Sequence, residues 1–230
     1  MKKIFRFFCL ILLFLLICSP CYAGVDFNDL VLPVDTIQTN DTNYGIDAYT
    51  VSFWAYRESI TWAYLFDCRN SGTGYLYFDP NAGTLVFSSG GTIYIDNVAT
   101  NVLPADSWHH VLVKDITLNI QILSIGSKGG NIEAWDGKIT EFAIGDNTLT
   151  ADEITLMSKS RLKGMPLQIQ PTALKLYLPL DDYSAGVSIN TLTFNDLSGN
   201  GIIATGTDAD GDSFTTAEIL NYPPAIGQFN

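Results

Sequence analysis

Basic residues are scarce in this chain. Its 230 residues include 12 lysines and arginines against 24 aspartates and glutamates, a formal net charge of −12. Nucleic acids and anionic membrane surfaces are bound through basic footprints, which this sequence lacks. We therefore exclude nucleic-acid binding as a general function and expect no adhesion to anionic membranes.

Cysteines are also few, and three of the four, Cys9, Cys18 and Cys21, lie within the first 23 residues. Without that segment only Cys68 remains, so the other 207 residues can form no internal disulfide. A chain of that length buries enough apolar surface to be stable without one. We expect Cys68 to act as a small core residue and not as a reactive thiol.

No apolar run reaches the length of a membrane span, which is about 20 residues. The run from Phe7 to Ile17 follows Lys2, Lys3 and Arg6 and precedes a small-residue site at Ala23, as in a signal peptide. We expect residues 1–23 to be removed on export to the periplasm or the extracellular space. Acylation of Cys18 or Cys21 is the alternative, although neither cysteine follows a small residue directly.

The remaining chain, 24–230, shows no linker and is interpreted as one domain with a formal net charge of −15. Runs of alternating apolar and polar residues, separated by turn residues, predict many short strands. This pattern is typical of an antiparallel sandwich or barrel. The predicted strands are 30–34, 49–56, 61–67, 75–78, 84–88, 92–96, 110–114, 118–125, 139–144, 174–180 and 189–194.

Two local signals surround the strand at 139–144. Asp136-Gly137 before it is a hairpin-turn dipeptide. Thr150 after it fits a helix N-cap, with Glu153 three residues later completing a capping box. Gly164 and Pro166 are expected to end that helix.

Three segments in this order and spacing resemble one family: "DAYTVSFWAY", "DSWHHVLVK" and "WDGKITEFAIGDNTLTADEI". They are similar to a laminin-G-like domain of the concanavalin A-like lectin/glucanase superfamily. The resemblance implies an all-β fold, a jelly-roll β-sandwich of two antiparallel sheets with one short helix. The motifs "LKLYLPLDD" and "DLSGNG" also look like the family, but they follow the helix here. The sheets would therefore be completed by C-terminal strands.

Catalysis by a glycoside hydrolase would need two carboxyl groups about 5 Å apart on one face. Beyond residue 23 the five glutamates, at positions 58, 133, 141, 153 and 218, do not alternate with other acidic residues on one strand. We predict a protein without enzymatic activity. A hydrolase with an atypical acid pair is the less favoured alternative.

The only two histidines of the chain, His109 and His110, follow Trp108 on a predicted strand. Adjacent strand residues point to opposite faces, so the two cannot bind one ligand together. They are interpreted as structural, and no multi-histidine zinc site is available.

Calcium is the one cofactor that the sequence suggests. Asp208, Asp210 and Asp212 alternate in "DADGDSFTTAEI", which offers hard oxygen ligands in the manner of an EF-hand loop. Ser213 stands where the loop needs glycine, and Glu218 falls one position short of the bidentate ligand. A solvated turn is the competing interpretation.

Six aromatic residues on the early strands are candidates for stacking against sugar rings: Trp54, Tyr56, Trp62, Tyr64, Tyr75 and Tyr77. They could line one concave sheet, although aromatic residues at alternating strand positions are usually core. The sequence thus predicts a secreted, non-catalytic module that binds carbohydrate or an extracellular protein. A structural or assembly module that makes protein contacts is the alternative.

Overall fold

The computed structural model describes residues 24–28, 36–39, 46–68, 74–120, 122–129, 133–159, 164–180 and 191–207. In chain order the strands are β1 (Val25–Asn28), β2 (Thr36–Thr39), β3 (Ile46–Arg57), β4 (Ala63–Asp67), β5 (Tyr75–Asp79), β6 (Thr84–Phe87), β7 (Thr92–Ile95), β8 (Val98–Ala99), β9 (Trp108–Ile120), β10 (Ser124–Ile125), β11 (Asp136–Gly145), β12 (Leu174–Leu178), β13 (Thr193–Asn195) and β14 (Ile203–Thr207). The helices are α1 (Ala151–Lys159) and α2 (Met165–Ile169). No helix within these ranges has both the length and the apolar character to cross a membrane.

The described strands form two antiparallel sheets of seven strands each. The first runs β1-β11-β3-β9-β7-β8, with β12 also paired to β11. The second runs β13-β14-β2-β10-β4-β5-β6. One large cluster of buried apolar side chains takes residues from both sheets. The predicted all-β sandwich is confirmed, and both sheets gain C-terminal strands, as the motif order implies.

Alternation along β3 places one set of side chains in this core. Val51, Phe53 and Ala55 are almost completely buried between the sheets. Trp54 and Tyr56 lie on the opposite face, because successive side chains in a strand point to opposite sides. The predicted alternation of this strand is confirmed.

In β4 the predicted alternation is wrong. Tyr64 pairs with Tyr77, but the register shifts before Phe66 pairs with Leu76. The shift is a bulge at Leu65, and it turns Phe66 into the core while Tyr64 stays outside the core cluster. Two aromatic residues that the sequence places on one face therefore lie on opposite faces.

Asp136-Gly137 is not a hairpin turn, contrary to the prediction, but the start of β11. Gly137 lies inside the sheet, where it pairs with Phe27 on one side and Arg57 on the other. Its φ is +144°, and a Cβ built on it would lie 2.0 Å from the backbone oxygen of Tyr56. The glycine is needed for close approach of two strands and not for a turn.

The two strands expected on either side of Asp115 form a single strand, β9. Asp115 has a positive φ of 58°, and the pairing with β3 shifts register between Ala48 and Thr50. Asp115 therefore lies in a bulge within the strand and does not end it.

The capping box of α1 is confirmed. The Thr150 N–H donates to Glu153 Oε2 at 2.8 Å, and the Glu153 N–H donates to Thr150 Oγ1 at 3.3 Å. Gly164 and Pro166 do not end this helix but begin α2, so the expectation of one helix is corrected to two in the described chain. Proline is favoured in the first helical turn because its missing N–H has no partner there.

Candidate functional site

The six candidate aromatic residues lie on two different sheets. Trp54 and Tyr56 belong to β3 of the first sheet, whereas Tyr64, Tyr75 and Tyr77 belong to β4 and β5 of the second. Trp62, just before β4, stacks on Tyr77. The expectation that all six line one sheet is therefore corrected. Although β3 and β4 are consecutive in the chain, the segment between them crosses from one sheet to the other.

The four aromatic residues of the second sheet form a continuous group, here called the Trp62 cluster: Trp62, Tyr64, Tyr75 and Tyr77. The ring centroids of Trp62 and Tyr77 are 5.2 Å apart with planes at 18°, and those of Tyr77 and Tyr64 are 5.5 Å apart with planes at 27°. Tyr75 lies 5.5 Å from Tyr64. The rings pack against one another, so each ring is partly covered by its neighbour in the cluster.

Exposure differs within the cluster. Trp62 is 46% exposed, while Tyr64 is 8% exposed and the other two tyrosines are half-buried. Leu76 and Phe78, which alternate with these tyrosines on β5, point into the core. The Trp62 cluster therefore covers the outer face of the second sheet, and Trp62 offers the largest free aromatic surface.

Two charged residues that the sequence interpretation missed lie beside the cluster. Lys128 Nζ is 5.3 Å from the ring centroid of Tyr64, within cation–π range. The same Nζ lies 2.8 Å from Glu133 Oε2. Both residues come from the segment after β10, far from β4 in sequence, and no local motif marks them.

Trp54 is in a different environment. It is 6% exposed and packs edge-on against His110, with ring centroids 5.4 Å apart. Both residues line a pocket between the outer face of the first sheet and the two helices. The enclosed space is about 10 Å³, which is the size of one water molecule. Trp54 therefore offers no surface on which a sugar could stack.

Tyr56 lies near the end of the same strand and is half-buried. Its ring centroid is 5.8 Å from that of Trp108. Lys138 Nζ lies 5.0 Å from the Tyr56 ring and 2.7 Å from Glu58 Oε1. Tyr56 is thus part of a separate group on the first sheet.

Glu141, which the sequence leaves without a role, lines the pocket beside Trp54. It sits at the bulge of β11 with a positive φ of 56°, an unfavourable conformation for a glutamate. The Tyr177 hydroxyl donates to its Oε2 at 2.7 Å, and the Gly164 N–H donates to the same atom at 2.9 Å. These bonds hold a buried carboxyl group at the base of α2.

The two histidines point to opposite sides of β9, as predicted. His109 Nδ1 lies 2.6 Å from Asp96 Oδ2, and its Nε2 lies 2.8 Å from Ser107 Oγ. The Ser107 hydroxyl also donates to the backbone oxygen of Ala105 at 3.1 Å, so this chain of hydrogen bonds ends on the main chain. It fastens the start of β9 to the turn after β7.

His110 is only 3% exposed, and its Nδ1 has no hydrogen-bond partner. Burial lowers the pKa of this histidine to about 4, because charging the ring would require desolvation of a cation. The nearby carboxylate of Asp96 opposes that shift but does not overcome it.

Each glutamate within the described ranges is engaged by other groups. Glu58 and Glu133 pair with lysines, Glu153 caps α1, and Glu141 accepts the bonds from Tyr177 and Gly164. Glu218, the fifth, lies outside the described residues.

The predicted calcium ligands Asp208, Asp210 and Asp212 also lie outside the described residues. Within the part of the chain that is described, no group of three or more histidine, cysteine, aspartate or glutamate side chains is placed to hold a metal ion.

Residues 34–114 match the family Laminin_G_3 of the concanavalin A-like lectin/glucanases superfamily. This segment is similar to that family. It includes the first two of the three motifs that carry the resemblance and extends from β2 into β9. The predicted resemblance is confirmed over those residues.

A crystal structure of a candidate carbohydrate binding protein from Bacteroides ovatus is also similar to this chain. The sequences are 14% identical, and the match covers 82% of this chain and 58% of that one, with a TM-score of 0.49. The chain thus spans little more than half the length of that protein. No curated protein matches this chain.

Proposed function

We propose that this protein is a secreted, non-catalytic module that binds carbohydrate through the Trp62 cluster. The observation that carries the proposal is the half-exposed ring of Trp62, supported from one side by Tyr77. Sugar rings present apolar C–H faces that stack on aromatic rings. A ring already held by its neighbours loses little rotational freedom on binding, and this lowers the entropic cost of association.

The surroundings of Trp62 supply polar groups as well. Tyrosine combines an apolar ring with a hydroxyl that can donate or accept hydrogen bonds. Tyr75 and Tyr77 are both half-buried and so keep part of their surface at the sheet face. The ion pair of Lys128 with Glu133 adds further hydrogen-bonding groups next to Tyr64. An aromatic surface with a few polar groups at its edge is the usual composition of a small-ligand site.

Replacement of Trp62 tests this proposal. We expect Trp62→Ala to weaken binding of a glycan, identified on a glycan array, by about 10-fold or more, equivalent to about 1.4 kcal/mol. Tyr49→Ala is the matched control, because Tyr49 is an aromatic residue of 38% exposure on a strand of the first sheet. Affinity electrophoresis or calorimetry gives the dissociation constants, and circular dichroism checks that both variants fold.

Equal binding by wild type and Trp62→Ala would place the glycan site elsewhere. No glycan binding at all would favour the second candidate function, a module that contacts other proteins. Its support is Ile60, an apolar residue two positions before Trp62 in the sequence, which is 70% exposed. Exposed apolar side chains mark protein-contact surfaces where they form a contiguous patch, which Ile60 and Trp62 would have to share.

We also propose that Asp208, Asp210 and Asp212 bind calcium. If this loop binds calcium, EDTA will lower the unfolding temperature, and excess calcium will restore it, since a ligand that binds only the folded state stabilises it. We expect Asp210→Asn to remove that response by taking one charged oxygen ligand away. Asp152→Asn, on the exposed first turn of α1, is the control. A response to EDTA that persists in Asp210→Asn would contradict the assignment.

A further inference from the structure

Three unusual features meet in the pocket under the helices. It is lined by Glu141 with its left-handed backbone and by His110 with an unpartnered ring nitrogen. It is also lined by Met157 and Met165, the only methionines of the chain besides the first residue. Backbone strain and unpaired buried polar atoms both cost stability, so they are expected where a site requires them.

These side chains form a set of soft donors. Thioether sulfur from methionine favours monovalent copper, and an imidazole nitrogen is also a good copper ligand. Met157 is 3% exposed and comes from α1, whereas Met165 is half-buried and begins α2. His110 comes from β9, so residues from three separate elements line the same pocket.

We propose that this pocket binds one copper(I) ion, with Met157, Met165 and His110 as ligands. The pocket volume of about 10 Å³ has room for a single ion or water molecule. Trp54 also lines the pocket, and its 6% exposure limits the access of water from this side. Glu141 lines the same pocket, and its carboxyl group is held by the bonds from Tyr177 and Gly164.

This proposal does not depend on the glycan site. Trp62 and Trp54 are on different sheets, and the pocket is on the outer face of the first. Loss of copper binding and loss of glycan binding are therefore expected from different variants.

The test is an anaerobic titration of the purified protein with copper(I), kept reduced by ascorbate, in competition with bicinchoninic acid. We expect one equivalent to bind to the wild type, with a change in tryptophan fluorescence because Trp54 lines the site. Met157→Leu/Met165→Leu keeps the packing volume while removing both sulfur atoms. We expect it to lose at least about 10-fold in affinity, the lower limit seen even for outer-shell partners of metal sites.

His109→Gln and Cys68→Ala are the controls, because each removes a potential copper ligand that does not line the pocket. Unchanged affinity in both supports the assignment. No competitive copper binding by the wild type, equal affinity in the double methionine variant, or loss of binding in either control would overturn it. Met165→Leu alone provides a second measurement should the double variant unfold, since Met165 is only half-buried, and its affinity must also fall.

Discussion

At the scale of residues, chemically equivalent side chains have different roles because of their neighbours. Trp54 and Trp62 are eight positions apart, yet the first is 6% exposed beneath the helices and the second is 46% exposed at the sheet face. Glu141 and Glu153 differ in the same way. Glu153 closes a local capping box, whereas the bonds to Glu141 come from residues more than 20 positions away.

Cys68 gives a prediction at this scale. Burial, together with the smaller effect of neighbouring Asp67, raises the pKa of its thiol to about 12, and the thiol donates to the backbone oxygen of Gly74. We expect the folded protein to react negligibly with Ellman's reagent at pH 8 and to react at Cys68 once it is denatured. The comparison is made on protein that begins at Gly24, so that the cysteines of residues 1–23 are absent.

The raised pKa of Cys68 determines how the stability of the protein changes with pH. In the unfolded chain the thiol ionises near pH 9, whereas in the folded chain it stays protonated up to about pH 12. The stabilisation from the protonated thiol is therefore complete below pH 9 and is lost as the pH rises towards 12. Urea unfolding between pH 9 and pH 12 should show a larger loss of stability in the wild type than in Cys68→Ala. Rapid thiol modification of the folded protein at pH 8 would contradict the assignment.

At the scale of elements, bulges explain the errors of strand prediction. They occur in β4, β9 and β11, and each separates residues that simple alternation would place together. In β11 the bulge is also where Glu141 enters the pocket. A sequence pattern with period two carries no direct sign of an inserted residue, so these positions are found only from the pairing register.

Gly137 gives a prediction at the scale of elements. A Cβ at this position would collide with the backbone oxygen of Tyr56 on the adjacent strand and would also strain the positive φ. We expect Gly137→Ala to lower the free energy of unfolding by about 3 kcal/mol or more. Urea denaturation measures the change.

Gly83→Ala is the matched control for this variant. Gly83 also has a positive φ, of 69°, but a Cβ there would meet no atom within 4 Å. Only the cost of a positive φ for alanine remains, and we expect the free energy of unfolding to fall by about 1 kcal/mol. Equal effects of the two substitutions would show that strand proximity at Gly137 is unimportant.

At the scale of the whole molecule, the proposed export of the protein gives a further prediction. Cleavage after Ala23 would leave Gly24 as the first residue, directly before β1, where it is buried against β11. We expect Edman sequencing and intact mass of the exported protein to begin at Gly24. A lipid-modified N-terminal cysteine at position 18 or 21 would instead show the alternative form of export.

Features that depend on near neighbours follow from residue order alone. Strand alternation in β3, the capping box at Thr150 and the excess of acidic residues all follow from residue type and spacing. The three family motifs are short local segments, and their resemblance predicts the sandwich. Each of these features depends on residue types and short spacings, which can be identified directly in the sequence.

Only the tertiary structure decided how these elements combine into sites. The sequence offered six aromatic residues as one surface, but the crossing between β3 and β4 placed two of them on the other sheet. The pocket at Trp54 joins residues from β3, β9, β11 and both helices, with no shared motif. Such sites depend on strand order and register, which arise from long-range packing of the whole core.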